Sequence, residues 1–216
     1  MKKVPVIAVI PAYNAAKTIR PLLAELISQR YDDIYVIDDA STDSTVRTVQ
    51  QYAPKVKLIK NGQNVGSGAN RNRIIGKVEP SILHFIDADM RLRSKDTPDT
   101  IRRLKWPKRA AYIGGLVRNP DGSQNPFNFG PRPHLLTGIF QGGLQFIIWL
   151  IGRLNWTAGK VLRRIFSPLL KGLPDIYAKQ LPRRTYWVAE SNMLVKSEEF
   201  AGHGGYDPRF RYSEIV

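Results

Sequence analysis

The chain contains no cysteine. That absence excludes disulfides and thiolate metal sites, and it suits a reducing compartment. Histidine is scarce, with three residues and no cluster of the kind that would suggest zinc. Long apolar runs are missing too: no stretch reaches the roughly 18 to 20 residues that a membrane-spanning helix needs. The start, "MKKVPVIAVIPAYN", has two lysines and then apolar residues, as a signal peptide does. Its apolar run is short, contains Pro5 and leads into a turn without a cleavage site, so it reads as a first strand. Acids are outnumbered, 18 against 33 Lys and Arg, which leaves a net charge of +15. The deficit is sharpest between residues 131 and 184, where Asp175 is the one acid. Such an excess fits an anionic partner (nucleic acid, a phosphorylated substrate or an acidic membrane face) or serves solubility.

What is present reads as globular: 216 residues, 43% apolar and 24% charged, enough for one α/β domain or a domain with an elaboration. "VPVIAVIP" is a continuous β-branched run, suited to a strand buried on both faces. "NAAKTIRPLLAELISQRY" then sets Ile19, Leu22, Leu23, Leu26 and Ile27 at helical spacing, with Thr18 as N-cap and Pro21 in the first turn. "DIYVIDDAS", "KVKLIKN" and "SILHFIDAD" are three further strands. The helix "TDSTVRTVQQYA" and the glycine-opened loop and helix "VGSGANRNRIIGKV" separate them. This alternation predicts a mostly parallel, Rossmann-like sheet flanked by helices. Downstream, 110–119 and 186–197 read as two more strands, and "NPDGSQNPFNFGPRPH" between them as loop.

In open α/β sheets ligands bind beyond the carboxyl ends of the strands. The four exits here are "PAYN", "DDAS", "NGQN" and "DADM", all polar or turn-forming, two of them with paired acids. Acids gathered on one rim repel one another unless a cation or a hydrogen-bonding ligand joins them. Asp87 and Asp89, closing a strongly apolar strand, suit a hard cation such as Mg²⁺ or Mn²⁺, which in turn grips diphosphate oxygens.

Taken in order, "VIPAYN", "VIDDASTDST", "NVGSGANRN", "FIDAD" and "ESNMLVKSEEFAGHGGYDPRF" resemble the inverting family-two glycosyltransferases of GT-A fold. The likeness covers most of the chain and is weakest over roughly 120 to 185. It implies three parts: a nucleotide-sugar-binding α/β subdomain over 1–120, a loop and basic apolar helical insertion over 121–185, and an acceptor-side strand with the base motif over 186–216. It also implies site residues. Pro11, Ala12 and Tyr13 match the first-strand exit that wraps the nucleotide base. Asp39 matches the acceptor for base or ribose donors, while Asp38 and Asp43 suit capping. Arg71 matches a basic residue near the phosphates, with a solvated helix face as the plainer reading. Asp89 matches the direct metal ligand, and Asp87 the contact to ribose or to metal-bound water.

The implied reaction moves a sugar from a nucleoside diphosphate, with a uridine diphosphate donor favoured, to an acceptor hydroxyl with inversion. A carboxylate takes the acceptor's proton as general base. The family places that base in a Glu-Asp pair after a Gly-Gly-Phe-Asp turn. Here "GGYDPRFRYSEIV" offers Ser213-Glu214, so Glu214 is the candidate and Asp207 the runner-up. The chain ends two residues beyond Glu214, so the acceptor side is expected to be incomplete.

The stretch "LLTGIFQGGLQFIIWLIGRLNWTAGKVLRRIFSPLL" joins bulky apolar residues with Arg and Lys and no acid. It suits a helix lying at an anionic membrane surface, or else a core helix followed by a solvated basic one. Its aromatics sit among aliphatics rather than along a polar groove, which disfavours nucleic acid. The expected setting is the cytoplasmic face of the membrane, with a saccharide or a lipid-linked acceptor. A nucleotide-sugar-binding protein without turnover is the competing reading. A nucleotidyltransferase is remote, because "PAYNAAKTIR" lacks the glycine-rich loop such enzymes place after the first strand.

Overall fold

The computed structural model describes residues 3–108, 110–122, 129–130 and 187–209. The chain divides into two compact units, one made of Met1–Gly115 with Glu190–Val216, the other of Leu116–Ala189. The basic apolar segment 131–184 and Glu214 lie outside the described residues.

The first unit is built on a six-stranded sheet. Its strands are β1 (Val6–Ala12), β2 (Asp33–Asp38), β3 (Lys57–Lys60), β4 (Ile82–Ile86), β5 (Tyr112–Gly114) and β8 (Asn192–Lys196), in the order β3-β2-β1-β4-β8-β5. The first four are mutually parallel, with β1 central between β2 and β4. Helix α1 (Ile19–Ser28), α2 (Thr45–Gln50) and α3 (Ser67–Arg71), the last continued by a 3-10 turn over Asn72–Ile74, connect them. β8 runs antiparallel to both β4 and β5. The result is the mostly parallel sheet that the sequence pattern predicts, with an antiparallel far edge.

The apolar runs become buried strands because both faces of the sheet are covered. Val6, Ala8, Val9 and Ile10 in β1 are fully buried, as are Ile19, Leu22, Leu23 and Leu26 on one stripe of α1. Each of these Val, Ile and Leu side chains contributes on the order of 1.5–3 kcal/mol by leaving water. Pro21 falls in the first turn of α1, where its missing N–H costs little. Thr18 occupies the N-cap position, but its hydroxyl donates to the Ala15 carbonyl at 3.3 Å instead of accepting from a helix N–H.

Two short helices were not legible in the sequence: α4 (Thr97–Arg103), with Pro98 at its start, and α5 (Ser197–Gly202), directly after β8. The stretch 186–197 is also not one strand. It divides into β7 (Trp187–Val188) and β8, with a turn at 190–191. In the second unit β7 pairs antiparallel with β6 (Phe129–Gly130). Among the described residues, no helix is long and apolar enough to cross a membrane.

His84 sits in the middle of β4, fully buried, with its Nδ1 2.8 Å from the Tyr31 hydroxyl and its Nε2 2.8 Å from Asn192 Oδ1. Burial, opposed by the Asn192 hydrogen bond, brings its pKa down to about 4, so the ring is neutral near pH 7. Because Asn192 Oδ1 can only accept, Nε2 carries the proton and Nδ1 accepts from Tyr31. This polar line crosses β4 and fixes Asn192, the first residue of β8.

Candidate active site

The parallel register brings the strand exits to one rim. Ala12 of β1 pairs with Asp38 of β2, and Val9 with Phe85 of β4, which brings Asp87 level with Pro11. The exits are also bonded to each other. Asp39 N–H donates to the Ala12 carbonyl at 2.8 Å, and Asn61 N–H to the Asp38 carbonyl at 2.9 Å. Asn14, at a positive φ of 49°, accepts from the Thr42 and Asp43 amides through Oδ1 and donates its own N–H to Ser41 Oγ. The β1 and β2 exits therefore form one piece. Tyr13, between them and 52% exposed, presents its ring to solvent at that rim.

The acids divide their labour. Asp43, one residue before the N-cap Ser44, accepts from the Thr45 N–H at 2.9 Å through Oδ1 at the start of α2 and from Ala16 N–H through Oδ2. Asp38 Oδ2 accepts from Ser41 N–H at 3.1 Å, while its Oδ1 is buried without a hydrogen-bond partner among the described residues. Asp39 is buried and engaged. Oδ1 accepts from Asn61 Nδ2 and Val65 N–H, and Oδ2 from Gly66 N–H, all at 2.9 Å. Three of its roughly four lone-pair directions thus hold the glycine loop before α3. Gly66 has a φ of 89°, a left-handed conformation that favours glycine. Asn70 anchors the same loop from below, donating to the Ile37 carbonyl at 2.8 Å.

Arg71 is 3% exposed, which excludes the solvated-face reading. Its Nη2 lies 2.8 Å from Asp87 Oδ1 and its Nη1 2.9 Å from Glu190 Oε2. The Tyr206 ring stands 5.9 Å from the guanidinium. Asp87 itself is pulled two ways. Burial and the neighbouring Asp89 charge push its pKa up, while Arg71 holds it down, and the net shift is upward. Asp89 is exposed beside it.

A divalent cation fits this pair. Two carboxylates lie close together at the rim, and Asp87 Oδ2 accepts no hydrogen bond among the described residues. No cluster of three His, Cys, Asp or Glu residues capable of holding a metal is found among the described residues. Magnesium-type ions use one or two carboxylates together with substrate phosphates, and need no complete protein cage.

The runner-up base, Asp207, is engaged with its own neighbour. Arg209 Nε donates to both carboxylate oxygens at 2.9 and 3.0 Å, and that contact holds the Asp207 pKa down to about 2. Glu190, Tyr206, Asn72 and Asn61 were not singled out by sequence. For Glu190 the available signal was an acid in "AES" at the start of an antiparallel strand, which such a strand delivers to the same rim where the parallel strands end.

The model for Glycosyl transferase family 2 matches residues 7–157. The chain belongs to that family. Its members are inverting glycosyltransferases, the activity that the resemblance implied. The N-acetylglucosaminyl-diphospho-decaprenol L-rhamnosyltransferase of Mycobacterium tuberculosis is 28% identical, over 98% of this chain and 67% of that protein. The UDP-N-acetylglucosamine–dolichyl-phosphate N-acetylglucosaminyltransferase of Methanococcus voltae is 24% identical, over 95% of this chain and 85% of that one. Among solved structures, mannosyl-3-phosphoglycerate synthase from Rubrobacter xylanophilus matches with a TM-score of 0.50 and 18% identity. That match covers 91% of this chain and 54% of the other, and supports the GT-A-type fold.

Proposed function

We propose that this chain is a metal-dependent member of the family, transferring a sugar from a nucleoside diphosphate to an acceptor hydroxyl with inversion. One observation carries the reading: Asp87 and Asp89 close β4 directly beside the fused exits of β1 and β2. A nucleoside diphosphate needs that juxtaposition, with its base and ribose over β1 and β2 and its phosphates reaching β4.

Each residue's part follows from its surroundings. Pro11 and Ala12 form the floor under the base, and Tyr13 supplies an exposed ring at its side. Base and ribose N–H and O–H groups are donors, which the remaining lone pair of Asp39 can accept. Asp89 and Asp87 hold Mn²⁺ or Mg²⁺. When bound, the ion offsets charge developing on the departing diphosphate. Arg71 stands beside the phosphates through the carboxylate it holds. Glu214 takes the acceptor's proton; Asp207, kept ionised by Arg209 with a pKa of about 2, is the poorer base.

The donor is a uridine diphosphate sugar in this reading. The acceptor is lipid-linked, which the decaprenol- and dolichyl-phosphate-directed relatives support. The basic apolar segment 131–184 would then meet an anionic membrane surface, and flotation with anionic vesicles at low and high salt tests that part. Incubation with candidate donors and Mn²⁺ tests the activity. Release of nucleoside diphosphate that rises with metal is expected. Ligand protection of the fold without any release would contradict turnover and leave a binding protein.

A further inference from the structure

At the rim, one buried guanidinium is divided between two carboxylates. Arg71 gives Nη2 to Asp87 Oδ1 and Nη1 to Glu190 Oε2. Topology explains why Glu190 is there. β8 runs antiparallel to β4, with Asn192 opposite Ile86, so the turn that precedes β8 comes to the carboxyl end of β4. Asp87 N–H and the Ser191 carbonyl lie 3.4 Å apart across that junction. The Tyr206 ring backs the guanidinium, and Asn72 fixes Tyr206 by two backbone hydrogen bonds.

The arrangement has a consequence for Asp87. A guanidinium facing a single carboxylate tends to close on it as a fork, with two parallel N–H···O bonds that occupy both oxygens. Glu190 holds Nη1, which closes the end-on fork of Nη1 and Nη2 to Asp87. Asp87 meets the guanidinium through Oδ1, and its Oδ2 accepts no hydrogen bond among the described residues. Charge acts in the same sense. Among the described residues, the carboxylates of Asp87, Asp89 and Glu190 gather around Arg71, an excess of acid that suits a cation.

We propose that Glu190 is a positioning residue for the donor site: by engaging one arm of Arg71 it keeps Asp87 Oδ2 free and sets the rim's charge for a divalent ion. The inference rests on the metal-dependent reading above. It assigns Glu190 no contact with the sugar or with the reacting atoms.

The test is calorimetric UDP binding to the full chain without metal and across a Mn²⁺ series, with free Mn²⁺ followed by electron paramagnetic resonance. Wild type, Glu190→Gln and Glu190→Asp are compared, with Asp89→Ala as the metal-site control. Gln keeps the shape of Glu190 and an acceptor for Nη1, and the unfolding midpoint is measured on the same samples. Glu190→Gln is expected to weaken Mn²⁺ binding in the presence of UDP by about ten- to a hundredfold. Its metal-free UDP affinity should stay as in wild type, and Glu190→Asp should fall between the two. Equal Mn²⁺ affinity in Glu190→Gln and wild type overturns the inference alone. So does an equal loss with and without metal, which would mark a purely structural role. Wild type that gains nothing from Mn²⁺ overturns the metal reading, and the inference with it. If Glu190→Gln does not fold, Glu190→Asp decides the matter, since unchanged Mn²⁺ affinity there contradicts positioning.

Discussion

Asn72 grips the backbone of Tyr206 in both directions: its Nδ2 donates to the Tyr206 carbonyl at 2.7 Å, and its Oδ1 accepts the Tyr206 N–H at 2.8 Å. The two residues are 134 positions apart, so this one side chain ties the glycine loop and α3 to the turn after α5. It also holds the Tyr206 ring against Arg71.

Asn72→Ala removes a donor and an acceptor at once and should cost about 2 kcal/mol. Gly205→Ala strikes the same contact from the other side. Its Cβ would collide with Asn72 Oδ1, at a φ of +72°. The left-handed conformation alone costs roughly 1–2 kcal/mol for a residue with a side chain. Urea midpoints of both variants check the expectation, and wild-type stability in either contradicts it.

Asp39→Asn separates a structural from a ligand-only role for that carboxylate. Three donors converge on its two oxygens, and Asn turns one oxygen into a donor facing an N–H. A loss of about 1–3 kcal/mol is expected without any ligand present. A ligand-only role would leave the ligand-free unfolding curve unmoved.

His84 makes stability depend on pH. Its folded pKa of about 4 lies below the ordinary 6.5, chiefly through burial, so between these values the unfolded chain binds a proton that the native ring refuses. The contribution is fully present above about pH 6.5 and is lost as pH falls through 4, by up to about 3 kcal/mol. In His84→Leu the slope of unfolding free energy against pH should flatten over this window by up to about 1.4 kcal/mol per pH unit. Identical slopes in the two proteins would contradict the assignment.

What the sequence made legible was the part set by local pattern. β-branched runs ending on Ala12, Asp38 and Ile86 mark strands and their exits, because burial on both faces demands continuous apolar residues up to the point where the chain meets water. Asp43 as an acceptor at the start of α2 follows from its place before a short helix. What tertiary pairing decides was hidden. Arg71 ends a five-residue helix, too short for periodicity to define a buried face, and two carboxylates from distant strands set its burial. Glu190 was hidden because "YWVAESNMLVK" reads as one strand, whereas the chain turns at 190–191 and only β8 joins the main sheet. Asp39 was legible as an acceptor for ligand donors, but its hold on the loop was not, since nothing local reveals that the backbone at Val65 and Gly66 folds back onto it.

The central claim, that the aspartates closing β4 clasp a divalent ion beside the nucleotide exits, is tested most directly by crystals grown with UDP and Mn²⁺ and measured for manganese anomalous scattering. One strong peak bound to the Asp89 carboxylate and to phosphate oxygens is expected, with the uracil over Pro11, Ala12 and Tyr13. A manganese peak away from Asp87 and Asp89, or UDP seated on the rim of β1 and β2 with none, would contradict it.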